Sequence, residues 1–158
     1  MTMALPPTPL EEIRVMFILT APEGGGWGMT LDSFAEALRE RNPDEFIKVW
    51  DDEPGPGPRG PSLSFGITLG DEDFEGIALT TPQGASIKDC TAAHAAEFAQ
   101  WLRQRIVPDT AEITFNTEAG MEWELPDVVL PDAPAEELQS LFLVHLAEVQ
   151  EEDERHAR

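Results

Sequence analysis

Apolar residues recur along this chain with two periods, and the places where the period changes mark the elements. Over residues 13–19, Ile13, Val15, Phe17 and Leu19 alternate with Arg14, Met16 and Ile18, and both sets are mostly apolar. That pattern predicts a strand central in its sheet, with both faces at least partly covered. Thr30 then offers an N-cap hydroxyl, Leu31, Phe34, Ala35 and Leu38 follow at helical spacing, and Asn42-Pro43 stops the helix. Residues 46–50 read as a short strand. Leu63, Phe65, Ile67 and Leu69 alternate with Ser64, Gly66 and Thr68, the chain turns at Gly70-Asp71, and residues 74–80 return with Ile77 and Leu79 inward.

Thr91 or Asp89 caps a second helix, whose stripe is Ala95, Phe98, Leu102 and Ile106, and Pro108 ends it. Ala111, Ile113 and Phe115 alternate with Glu112 and Thr114; Met121, Trp123 and Leu125 alternate with Glu122 and Glu124. Residues 111–125 are therefore predicted to be a hairpin with acids on one face and large apolar groups on the other. Leu138, Leu141, Phe142, His145 and Val149 form the stripe of a last helix. The predicted order, β-α-β-β-β-α-β-β-α, clusters antiparallel strands. It fits a single α+β domain, a mostly antiparallel sheet with helices on one face, better than a doubly wound sheet. Residues 1–10, with Pro6, Pro7 and Pro9, are expected to be a loose arm, residues 11–150 the domain, and residues 151–158 a frayed acidic tail.

Charge changes this picture most. The chain carries 31 Asp and Glu against 10 Lys and Arg, a formal net charge of −21 over 158 residues. Nucleic acid and anionic lipid both require a cationic footprint, so neither is an expected partner. Residues 106–154 hold fourteen of the acids and no Lys or Arg. Such a stretch costs compactness through self-repulsion and would speed the capture of a basic protein. A single Cys excludes an internal disulfide and a Cys-rich zinc site. No basic leader or membrane-length apolar run is present, so a cytoplasmic location is expected.

Four constellations invite chemistry. Gly24, Gly25, Gly26 and Gly28 stand between a strand and a helix, yet the lysine of a phosphate loop is absent, Met29 and Thr30 following Gly28. A loop anchored by Trp27, with a partner-contacting tip, is the expected reading. Asp71, Asp73 and Glu75 imitate half of a calcium loop, but the twelfth position is Pro82. Cys90 and His94 stand four apart at a helix start, a spacing at which a thiolate can meet an imidazolium. Glu112, Glu122 and Glu124 can share a strand face, a formal general-acid arrangement that 31 acids also produce by composition alone. No residue is assigned to catalysis, a cofactor or a metal. The residues expected to meet a partner are Trp27, Glu112, Glu122, Glu124, Glu136 and Glu137.

From the first predicted helix onward, over residues 30–150, the order of elements, the size and the acidity resemble those of the small acidic chaperones of type III secretion. That resemblance implies a homodimer that binds an extended segment of a secreted effector. The Ala-, Pro- and Glu-rich composition is also similar to that of toxin-immunity proteins from high-GC bacteria, which implies a basic toxin as partner. The expected function is a non-catalytic module that covers or neutralises a basic protein, with an effector chaperone and a small carboxylate hydrolase as the alternatives.

Overall fold

A computed structural model describes residues 9–22, 26–50, 61–80 and 83–156. Residues 1–8 of the expected N-terminal arm, residues 23–25 of the glycine loop and all but the last residue of the proline-rich stretch from 51 to 61 lie outside them. After a 3-10 turn at Leu10–Glu12, the elements are β1 (Val15–Thr20), α1 (Leu31–Arg41), β2 (Ile47–Trp50), β3 (Ser62–Leu69), β4 (Glu72–Thr80) and β5 (Gln83–Cys90). They continue with α2 (Ala92–Arg105), β6 (Ile113–Thr117), α3 (Glu118–Glu122), β7 (Val128–Leu130) and α4 (Ala135–His156). The seven strands form one antiparallel sheet in the order β2-β3-β4-β5-β1-β6-β7. The fold class is α+β, as the alternation predicts. β1 is interior, flanked by β5 and β6.

One face of the sheet is covered by helices, and six phenylalanines with no more than 1% exposure fill the space between. Under α1 and α2, Phe34 packs on Phe65 at 5.0 Å between ring centroids, and Trp101 meets Phe34 edge-on at 5.5 Å. Under α4, Phe142 lies 5.1 Å from Phe17 and 4.6 Å from Phe115. Local signals agree with this packing. Thr30 caps α1 in a capping box with Ser33, and Thr91 rather than Asp89 caps α2. Among the described residues, the other face of the sheet carries no helix over β2, β3 and β4. Among the described residues no helix is long and apolar enough to cross a membrane.

Four expectations are corrected. The hairpin at 111–125 does not form: β6 is followed by the helical turn α3, and β6 pairs instead with β7. Thr117 accepts a hydrogen bond from the Gly120 N–H at 2.9 Å and caps that turn, Met121 is 56% exposed, and Trp123 is only half-buried. A strand the alternation did not predict, β5, is built from Gln83–Cys90, because β4 and β1 pair with both of its edges and supply the burial its own side chains lack. In β4 the inward residues are Phe74, Gly76 and Ala78, opposite Ile67, Phe65 and Leu63, so Ile77 and Leu79 face away from the helices. Nor is residue 151 a frayed end, for α4 continues to His156.

Candidate functional site

The acid-only stretch becomes β6, α3, β7 and α4, and the fold decides where its carboxylates stand. β6 spans five residues, about 17 Å, with Glu112 before it and Glu118, Glu122 and Glu124 beyond its far end. Glu112 therefore does not face Glu122 and Glu124 across a hairpin, as the strand reading required. Because Ile113 pairs with Leu130, Glu112 lies at the end of the sheet from which the chain leads through Asp132 to Glu136 and Glu137 in the first turn of α4. There the carboxylates complement the helix dipole. At the opposite end stand Glu118 and Glu122 on α3, then Glu124, whose φ is +58°. α4 has 22 residues, about 33 Å, and its last turns return to this second pole, where Trp123 donates its indole N–H to Asp153 at 2.7 Å and stacks on His156 at 4.4 Å.

Thirteen of the fourteen acids are exposed; Glu152 is half-buried and pairs with Arg155 at 3.0 Å. Apart from Glu152, no acid of this stretch has a cationic partner among the described residues. In the rest of the chain, ion pairs among the described residues hold Glu40, Glu45, Glu72 and Glu97. Arg105 pairs with Glu40, Arg41 with Glu97 at 3.6 Å, and Arg14 grips Glu72 through both guanidinium nitrogens. The solvent-facing stripe of α4 is Glu137, Ser140, Val144, Glu148 and Glu151, with Val144 58% exposed at its centre. α3 also walls an open groove of about 470 Å³, where Glu118 and Glu122 stand across from Arg14 and Lys88.

Trp27 requires correction as a contact residue. It is 2% exposed; its indole N–H donates to the Glu112 carbonyl at 2.9 Å, and its backbone N–H donates to the Gln83 side chain. It anchors the glycine loop to the sheet, and Glu112 is held by its backbone beside it. Gly24 and Gly25 lie outside the described residues, while Gly28 takes φ +67°.

The thiol and imidazole at 90 and 94 do not meet. Cys90 ends β5 rather than opening the helix; it is fully buried, and its thiol bonds the Thr91 carbonyl at 3.3 Å. Burial pushes that thiol up to about 12, far from the thiolate a nucleophile needs. His94 instead shares a hydrogen bond with the Thr91 hydroxyl at 2.8 Å and packs on Phe74. Asp73 accepts from the Thr68 hydroxyl at 2.8 Å, and among the described residues no three His, Cys, Asp or Glu side chains converge on a metal position.

His145 has a role that the apolar stripe of α4 only hinted at. Buried to 3% exposure, it shares a hydrogen bond with the Thr117 hydroxyl at 2.8 Å and packs edge-on against Phe115 at 5.2 Å. Gly120 lies against the ring so closely that a Cβ there would come within 2.7 Å of it. The imidazole thus ties α4 to β6 and α3 and fixes where the second acidic pole sits. Asn116 holds the following stretch, donating to the Leu125 carbonyl at 3.0 Å and to Asp127 at 2.9 Å. Neither a family model, nor a curated protein, nor a solved structure matches this chain.

Proposed function

We propose that the protein is a non-catalytic binding module that covers a basic protein partner, in the manner of an immunity protein that neutralises a basic toxin. The observation that carries this reading is the unmatched charge of the C-terminal third: thirteen exposed carboxylates without a cationic partner among the described residues, arranged at two poles joined by α4. An opposing cationic surface would relieve the repulsion among them. It would also be steered in at a rate that ionic strength controls. Val144, exposed in the middle of the acidic stripe, supplies an apolar contact around which such an interface could dry.

The test uses a photo-crosslinking residue at position 144 of the full chain in its own cells, followed by kinetics with the recovered protein. A basic partner is expected, with an association rate that falls steeply as salt shortens the screening length toward about 8 Å. Glu148→Lys with Glu151→Lys should slow association more than they speed dissociation. A neutral or acidic partner, or a rate indifferent to salt and to both reversals, would overturn the reading.

A further inference from the structure

The chain has only two lysines, Lys48 and Lys88, and the sheet brings both to one groove on its helix-free face. Lys48 pairs with Ser64, Ser64 with Ile77 and Ile77 with Ser86, so their side chains share a face, and Lys88, two residues beyond Ser86, joins it. The groove has a volume of about 300 Å³. Its apolar wall is made by Phe46 and Trp50, 60% and 39% exposed, with Ile77 opposite. Two ammonium groups against the single carboxylate of Glu75 leave the lining one positive charge, in a molecule whose net charge is −21. The Lys48 ammonium stands 4.0 Å from the centroid of the Trp50 ring, and Trp50 donates its indole N–H to Ser64 at 3.1 Å. With its oxygen accepting from Trp50, the Ser64 hydroxyl keeps its own proton to donate.

Gly66 adds an independent observation. It interrupts the middle of β3, where glycine weakens a strand. Yet a Cβ there would meet nothing closer than 3.6 Å, an ordinary contact. Neither packing nor backbone conformation calls for glycine. Its register neighbours are Phe46 and Glu75, both in the groove wall, and a side chain at 66 would project between them.

The geometry points to a binding site for a small aromatic monocarboxylate, its ring on Phe46 and Trp50 and its carboxylate between the two lysines and the Ser64 hydroxyl. The two lysines disfavour a cationic occupant of this groove. The site uses none of the carboxylates of the acidic stretch, although Lys88 also lines the groove that holds Glu118 and Glu122.

1-Naphthoate is the probe, titrated against the full chain by NMR, with 1-naphthylmethylamine as its cationic counterpart. Saturable one-to-one binding is expected, with the largest amide shifts at Phe46, Ser64 and Ile77. Loss of charge-assisted contacts in the Lys48→Gln, Lys88→Gln double variant should weaken it about tenfold or more. Gly66→Val should weaken it comparably, and Glu148→Lys with Glu151→Lys should leave it unchanged. Lys48 and Lys88 are surface residues, so the double variant reports on binding even if Gly66→Val fails to fold. Three results would each overturn the site: no saturation up to about 10 mM, equal affinity for the amine, or affinity unchanged in the folded lysine double variant.

Discussion

His145 shows how one side chain can make a buried joint depend on pH. Its ring faces Phe115, Thr117 and Gly120, with Glu148 the charged group acting on it, and burial lowers its affinity for a proton while Glu148 partly opposes that. The unfolded chain then takes up the proton first as pH falls. The stability associated with the neutral ring is complete above the unfolded value of about 6.5, and it is lost as pH drops from there toward the lowered native value. Ring proton NMR should place the native midpoint below the ordinary histidine range, and His145→Asn should flatten the stability profile in that window. A native midpoint at or above the ordinary range would contradict the assignment. Trp123 belongs to the same scale. Its contacts are one hydrogen bond to Asp153 and a stack on His156 at the surface, so Trp123→Ala should cost about 1–2 kcal/mol in denaturant unfolding. A cost of about 3–5 kcal/mol is what a buried aromatic would give, and measuring it would restore Trp123 to the core.

At the scale of elements, the sheet's two uses of glycine separate packing from vacancy. A Cβ at Gly76 would overlap the Phe65 ring and the Ser86 carbonyl oxygen, because β4 passes its neighbours there with no room to spare. Gly76→Ala should therefore destabilise by about 1–3 kcal/mol, whereas Gly66→Ala should be neutral or stabilising, and a thermal melt of both variants checks the contrast. The elements also show what alternation can and cannot say. Leu63, Phe65, Ile67 and Leu69 alternate with small polar residues and are at most 1% exposed, as that pattern requires. Met121, Trp123 and Leu125 alternate just as cleanly and form no strand, since Thr117 offers a cap and Gly120 fits against His145. Glu118 at the first position then favours the turn through the helix dipole. In β5, Gly84, Ser86 and Lys88 give almost no strand signal of their own. There Gly84 is required because a Cβ would press within 2.7 Å of the Leu19 carbonyl.

For the molecule as a whole, the uneven charge is the property with the widest consequence. Fourteen acids without Lys or Arg over residues 106–154 repel one another in the folded state, so the melting temperature should rise with sodium chloride before any partner is present. A melting temperature insensitive to salt would mean that the poles, separated by the length of α4, are already too far apart to interact. Read along the chain, the amino acids alone determined the α+β class, the capped helices, the strand β3 and the excess of carboxylates, because each depends on local periodicity, on a side chain capping its own helix, or on composition. Only the tertiary structure decided that Trp27 and Cys90 are buried, that Ile77 faces outward, that the acids divide between two poles, and that two distant lysines share a groove. Those outcomes depend on which strands pair and in what register, and a pairing between residues far apart in the chain leaves no local pattern by which either partner announces the other.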